Sequence, residues 1–218
     1  MTERTPEMIF KDRTDAGRQL ADALARYRGH DAVVYALPRG GVVIGAGIAQ
    51  ALDIPLDLII VRKVGHPFCP EYAIAAVAED GHMMTNPVEV ESIDQQWFDK
   101  RVRSEQQEAR RRRELYTRGR SPISAAGKIA IIVDDGLATG LTMFAAIQEI
   151  GHFQPLKVVV AVPVAPPETI EKLKAVVDDV VALHVTPDFR AIGSFYLQFG
   201  QVTDDEVIQL MRSVQETK

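Results

Sequence analysis

Two adjacent carboxylates, Asp134 and Asp135, end the apolar run Ile129 to Val133 within the segment K-I-A-I-I-V-D-D-G-L-A-T-G-L-T, Lys128 to Thr142. A buried strand that stops on paired acids places them at its carboxyl end, in a crevice, because charged groups are not left unpaired in a core. There they can accept hydrogen bonds from vicinal sugar hydroxyls, or hold Mg²⁺ directly or through water. The loop that follows carries Gly136, Ala138, Thr139, Gly140, Leu141 and Thr142. Gly140 permits positive φ and a close approach of backbone to ligand. A helical pattern from Met143 to Ile150 then offers free N–H groups and a dipole that favour a phosphate. Diol or metal ligands beside a phosphate nest suit a phosphorylated ribose. The alternative is an ordinary strand–turn–helix with acidic turn residues.

Two further groups have suitable chemistry. Pro38-Arg39-Gly40-Gly41 follows the apolar strand pattern Asp31 to Leu37 and precedes a helical pattern from Val42 to Leu52. Exposed N–H groups with a guanidinium bind pyrophosphate well. The dinucleotide fingerprint is missing, since Gly45 and Gly47 have no third glycine and fall inside the helix pattern, where close helix–sheet packing explains them. Arg62 and Lys63 leave a second apolar run, Leu56 to Val61, and face the same crevice if the sheet is parallel. A solvated basic turn is the competing account of that pair.

The elements that must position these groups alternate. Arg13 to Tyr27 has helical spacing, with Thr14 or Asp15 as caps, and reads as a covering helix without chemistry of its own. Gly65, Pro67 and Pro70 allow a mobile loop before the small-residue run Tyr72 to Ala78. Glu79-Asp80-Gly81 marks a hairpin turn within Ala76 to Thr85. Residues 87–120 form a Glu-, Gln- and Arg-rich helical insertion with ionic i,i+4 pairs and a thin apolar seam of Trp97, Phe98, Val102 and Leu115. The arginines 110–113 read as a solvated face or subunit contact. Strands from Lys157 to Val162 and Asp179 to Val185 flank a helix opened by Pro167 and running to Val177. An aromatic tail spans residues 186–200, and T-D-D-E at Thr203 caps a last helix. This order predicts one α/β domain over 1–218, a mainly parallel central sheet flanked by helices, with a small hood and the helical insertion.

Composition excludes several classes. The 218 residues are 46% hydrophobic and 25% charged, with a net charge of −5, which argues against general nucleic-acid binding. Cys69 is the single cysteine, so no intrachain disulfide forms. Met1 to Asp15 is polar, unlike a signal peptide, and no apolar run approaches the roughly 20 residues of a membrane span. A cytoplasmic location is expected. G-x-S-x-G and the P-loop signature are absent, and the five histidines lack zinc-ligand spacing.

V-D-D-G-L-A-T-G-L-T resembles the loop of type I phosphoribosyltransferases that binds 5-phosphoribosyl 1-pyrophosphate (PRPP). The L-P-R-G-G-V and V-R-K-V-G segments and the tail around Asp188–Phe199 extend the likeness to a poorly defined branch of that family. The resemblance implies that Asp134 and Asp135 contact the ribose hydroxyls and that Ala138 to Thr142 cradle the 5′-phosphate. It implies a pyrophosphate loop at Leu37 to Gly41, with Pro38–Arg39 as the place for a cis peptide. Arg39, Arg62 and Lys63 would then act on the pyrophosphate, with Mg²⁺ as cofactor. The tail, about residues 186–200, resembles the hood segment of purine-type members, and by position Phe189 is the candidate for stacking on a base and Ile192 for lining its pocket; aromatics that merely close the core are the alternative. The implied activity is transfer of phosphoribosyl from PRPP to a nitrogen acceptor such as a nucleobase, and the implied assembly a homodimer. Hypoxanthine–guanine enzymes carry an Asp where this chain has Ala138, which argues against 6-oxopurine transfer. A non-catalytic PRPP or nucleotide sensor is the alternative function.

Overall fold

The computed structural model describes residues 9–216. The first eight positions of the polar stretch read against a signal peptide lie outside the described residues. Helix α1 (Arg13–Ala23) and a 3₁₀ turn at Ala25–Tyr27 precede strand β1 (Ala32–Ala36), helix α2 (Gly40–Leu52) and strand β2 (Leu56–Leu58). Strands β3 (Val61–His66), β4 (Cys69–Ala78) and β5 (Met83–Thr85) follow, then helices α3 (Pro87–Glu91) and α4 (Gln95–Thr117). The chain continues through β6 (Ile129–Val133), α5 (Leu141–Gly151), β7 (Lys157–Ala165), α6 (Pro167–Lys174) and β8 (Asp179–Val185). A 3₁₀ turn at Ile192–Phe195 leads to α7 (Asp204–Glu216).

The central sheet has five strands in the order β2-β1-β6-β7-β8, every pair parallel. Strand periodicity sorts its side chains into two cores. Val34, Ala36, Ile131, Val133, Val159 and Ala161 pack with α1, α2 and α7. Val33, Tyr35, Ala130, Ile132, Val160 and Val162 face the opposite side with α5 and α6. Both faces are covered, which is why these strands read as continuous apolar runs rather than alternating ones. Gly45 lets α2 lie on the sheet: a Cβ there would stand 3.0 Å from Ala36 and Leu56 side-chain carbons. Gly47 serves a helix–helix contact instead, opposite Gly17 of α1.

The chain from β1 winds through α2 to β2 on one side, and from β6 through α5 to β7 on the other. The direction therefore reverses between β1 and β6, whose ends are in register at Ala36 and Val133. Such a reversal leaves a crevice outside the carboxyl ends of the two strands. Leu37–Gly41 and Asp134–Gly140 both leave the sheet there.

The predicted strand Leu56 to Val61 is two elements. Beyond Leu58 the chain leaves the parallel sheet, and Val61 opens an antiparallel three-stranded sheet, β3-β4-β5. Gly65 and Pro70, expected in a mobile loop, are strand residues of the β3–β4 hairpin. A Cβ at Gly65 would meet the Pro70 carbonyl oxygen at 2.1 Å, so glycine is needed for the two strands to pass. The hairpin turn at Glu79-Asp80-Gly81 is found as expected, with Gly81 at φ 106°. Val64, Ile74, Val77 and Phe98 form a separate small core between this sheet and α4.

The helical insertion differs from its pattern in three places. Leu115 is on the surface, and Tyr116 is the buried residue of that turn. Arg110 donates to the Glu79 carbonyl rather than pairing with Glu114 along the helix. Arg113, expected on a solvated face, is a buried tie. Its guanidinium pairs with Asp57 of β2 and Glu79 of the hairpin turn, both at 2.8 Å, and donates to the Leu58 carbonyl. The last helix opens as predicted: Thr203 and Glu206 form a reciprocal capping box.

Glu149 of α5 is 5% exposed, and its Oε2 has no hydrogen-bond partner. Burial pushes its pKa up to about 8, with Asp80 and Glu79 adding to the shift and Arg113 opposing it. The native state therefore holds this proton more tightly than the unfolded chain does. The associated stability is present below the unfolded value near 4.5 and is lost as pH rises through about 8. Glu149→Gln is expected to flatten this dependence, gaining about 2 kcal/mol or more over the wild type above pH 8 and little at pH 4. Urea unfolding at both pH values checks it; equal gains at both would contradict the assignment.

Candidate functional site

Asp134 and Asp135 follow β6 and sit at the switch point, where the sequence pattern placed them. Asp134 keeps part of its surface open to the crevice, whereas Asp135 is 9% exposed. The two are locked together by the Asp135 N–H, which donates to Asp134 Oδ1 at 2.8 Å. Burial pushes both carboxyl groups above their ordinary range. For Asp134 the neighbouring Asp135 adds to the rise, while Lys63 and Arg13 oppose it. For Asp135 the Arg13 guanidinium is the main opposing influence.

The loop after them is held from outside. Leu137 N–H donates to the Val164 carbonyl at 2.9 Å, and the Thr169 hydroxyl of α6 donates to the Ala138 carbonyl at 2.7 Å. Gly136 passes beneath Ile192, whose Cγ2 would be 2.7 Å from a Cβ at that position. Gly140 has φ 78° and caps α5, which begins at Leu141. Ala138 and Thr139 are exposed at the loop's crest, with Leu141 and Thr142 partly exposed. This is a cradle of backbone N–H groups at a helix N-terminus, the chemistry that binds a phosphate.

The Pro38–Arg39 bond is cis. Gly40 and Gly41 lie directly against the end of β6. A Cβ on Gly40 would fall 1.9 Å from Asp135 Oδ2, and one on Gly41 would fall 2.9 Å from the Val133 carbonyl oxygen. Arg39 caps α2, and its guanidinium is 3.5 Å from Asp204 Oδ1 at the start of α7. Asp204 Oδ1 also accepts the Tyr116 hydroxyl at 2.6 Å, so α4, α7 and the Arg39 loop meet there.

Adjacent residues of a strand point to opposite faces. Lys63 is exposed and acts on Asp134. Arg62, expected in the crevice beside it, turns to α4 and pairs with Glu105 at 2.9 Å. Phe195 and Tyr196 are buried in the core, and Phe189 packs on Phe195 with ring centroids 5.5 Å apart. Phe189 is half-buried against that core, and Ile192 borders the acidic pair's loop.

Three residues of the site were missed by the sequence reading: Arg13, Thr169 and Tyr196. The Arg13 Nε donates to Asp135 Oδ2 at 2.7 Å, so α1 is more than a covering helix. Its cap is Asp12, just ahead of the expected Thr14 or Asp15. The Tyr196 hydroxyl donates to the Asp135 carbonyl at 2.7 Å. None of these contacts leaves a local signal, since they span 122, 31 and 61 residues.

Among the described residues no group of three or more His, Cys, Asp or Glu side chains is arranged to hold a metal ion by itself. Two carboxylates fit Mg²⁺, which takes few protein ligands and fills its octahedron with water and substrate oxygens. Among the described residues no helix is long and apolar enough to cross a membrane.

Fold and site together define a type I phosphoribosyltransferase-like protein: a parallel sheet with an acidic pair and a glycine loop at its switch point, plus an antiparallel hood sheet, β3-β4-β5. The model of the phosphoribosyl transferase domain matches residues 9–199, and the chain belongs to that family. It is 43% identical over 205 residues to a Mycobacterium tuberculosis protein named "Putative phosphoribosyl transferase Rv0571c". That match covers 93% of this chain and 46% of the relative, so the chain spans about half the length of the curated relatives it matches. The crystal structure of TT1426 from Thermus thermophilus is similar at 43% identity, covering 94% of this chain and 99% of that one, with a TM-score of 0.79.

Gly40→Ala tests the packing at the heart of the site. Because the new methyl meets a fixed carboxylate, the variant is expected to lose about 1–3 kcal/mol of stability. Gly127→Ala, with positive φ but open space around its Cβ, is the strain-only comparison. Thermal unfolding of both checks it, and a Gly40→Ala protein as stable as the wild type would refute the contact.

Proposed function

We propose that the crevice binds PRPP with Mg²⁺ and transfers its phosphoribosyl group to a nitrogen acceptor. The observation that carries this is the Asp134–Thr142 segment: paired carboxylates at a strand end, followed directly by a glycine loop that opens a helix. The carboxylates suit the ribose hydroxyls, and the N–H groups of Ala138 to Thr142 suit the 5′-phosphate. Arg39, Gly40 and Gly41 lie on the opposite wall of the same crevice and suit the pyrophosphate. Lys63 adds positive charge near Asp134. Arg62 is better read as a tie to α4 than as a pyrophosphate ligand.

In the reaction the bond from ribose C1 to the pyrophosphate oxygen breaks, and a bond from C1 to the acceptor nitrogen forms. The nitrogen gives up its proton, and pyrophosphate leaves. A sugar cation develops as the bond breaks, as in other glycosyl transfers. The protein's share is positioning and electrostatics. Mg²⁺, held by Asp134 or Asp135 directly or through water, would neutralise charge on the departing pyrophosphate. Arg39 reaches the pyrophosphate only by leaving or sharing its Asp204 contact, so that ion pair is a natural point of exchange on binding.

The acceptor is a nucleobase or a small amine. Ala138 has no carboxylate to offer a 6-oxopurine nitrogen, which disfavours hypoxanthine and guanine. Phe189, half-buried with its ring tilted on Phe195, is the residue offered for stacking on a base. A cytoplasmic homodimer acting on small molecules in nucleotide metabolism completes the reading.

Pyrophosphate release from Mg–PRPP, measured with a panel of nucleobases and amines, tests it. Release that depends on one acceptor is expected, with Asp134→Asn slowing it by about a hundredfold or more. PRPP binding without release on any acceptor would favour a sensor. Turnover by Asp134→Asn at the wild-type rate would overturn the site.

A further inference from the structure

The Arg39 wall of the crevice is tied to the start of α7. The Arg39 guanidinium stands 3.5 Å from Oδ1 of Asp204, the first residue of that helix. Among the described residues Asp204 is the one acid within ion-pair reach of Arg39. The pair is loose. Its side chains are 29% and 38% exposed, whereas Arg13 and Asp135 lie 2.7 Å apart at 11% and 12%. An ion pair open to water is weak and exchanges readily.

Asp204 does not depend on Arg39. Its Oδ1 accepts the hydroxyl of buried Tyr116 at 2.6 Å. Burial and this carboxylate push the Tyr116 phenol up to about 12, so it stays a neutral donor. The charge of Arg111 also reaches Asp204. The dipole of α7 favours an acid in its first turn, and the Thr203–Glu206 capping box fixes that turn. Without Arg39, Asp204 keeps a hydrogen bond and compensating charge.

We propose that Asp204 is a built-in competitor of pyrophosphate for Arg39: it holds the guanidinium before the ligand arrives, yields it on binding, and takes it back as pyrophosphate departs. Asp204 is a positioning residue that acts through Arg39. One carboxylate at 3.5 Å is a weaker partner for a guanidinium than the several oxygens of a pyrophosphate, so binding draws the guanidinium across. The same carboxylate lowers affinity for the leaving group and favours its release. Tyr116 keeps Asp204 in place, so the α4–α7 contact is the fixed side of the exchange and Arg39 the moving one.

The inference rests on the PRPP reading of the crevice, and calorimetry of the full chain with Mg–pyrophosphate and with Mg–PRPP separates the two. Asp204→Asn is expected to tighten Mg–pyrophosphate about two- to fivefold, because Arg39 is no longer drawn away from an anion. Arg39→Met is expected to weaken it about tenfold or more. In that background Asp204→Asn should change affinity by less than about 1.5-fold. Asp205→Asn removes the same charge from the same helical turn, where Asp205 is exposed, and is the control; it should bind within about 1.5-fold of the wild type. Asp204→Ser is the second variant should Asp204→Asn not fold, with the same tightening expected. A merely structural Asp204 would lower the melting temperature when replaced without raising affinity measured well below it. Unchanged or weaker Mg–pyrophosphate binding by the folded variant would overturn the inference. So would a tightening that persists in the Arg39→Met background or that Asp205→Asn reproduces. Wild-type affinity in Arg39→Met overturns it too, while the reading of the crevice stands on the loop N–H groups. A wild type that binds neither titrant overturns that reading, and this inference falls with it.

Discussion

The structure depends on keeping two neighbouring carboxylates at the end of a buried strand. Burial raises both pKa values, so the site must supply compensating charge or lose the ionised form. Arg13 of α1 and Lys63 of the hood sheet supply it. Much of the surrounding architecture follows. The α1 helix must start at Arg13, the tail must return to lay Gly200 and Phe199 on that arginine, and the Pro38–Gly41 loop must carry glycines to pass so near Asp135.

The hood sheet shows how a single strand of basic residues is divided between structure and site. Arg62 and Lys63 are neighbours on β3: Arg62 pairs with Glu105 of α4, whereas Lys63 is exposed and its charge opposes the rise in the Asp134 pKa. Arg113 fastens the same layer below, through Asp57, Glu79 and the Leu58 carbonyl. A buried arginine between two carboxylates sets the orientation of the hood on the parallel sheet. Glu149 lies beneath that contact without a partner for Oε2, at the expense of stability in alkaline solution.

Much of this was legible in the sequence, and the reason is local. The strands β1, β6, β7 and β8 are apolar runs bounded by turns, and the acidic pair, Gly140 and the start of α5 follow one another within a few residues. Backbone geometry alone then fixes where the loop proposed to hold the phosphate lies. What was not legible depends on contacts between distant segments. Nothing near Arg13 or Tyr196 reports that each bonds Asp135. The run Leu56 to Val61 reads as one strand because both halves are apolar, yet β2 joins one sheet and Val61 another. Arg113 reads as solvated because its acidic partners lie in β2 and the hairpin turn, not along its own helix. Phe189 has the composition of a base-stacking residue, and only the fold shows that its ring tilts against Phe195.

The central proposal is that one crevice holds the ribose at Asp134 and Asp135 and the 5′-phosphate at Ala138–Thr142. A crystal structure of the full chain with Mg²⁺ and PRPP tests it most directly. The account predicts the 5′-phosphate on the N–H groups at the start of α5, the ribose hydroxyls on Asp134 and Asp135, and the pyrophosphate against Arg39 to Gly41. PRPP bound elsewhere, or bound with its phosphate away from that loop, would contradict it.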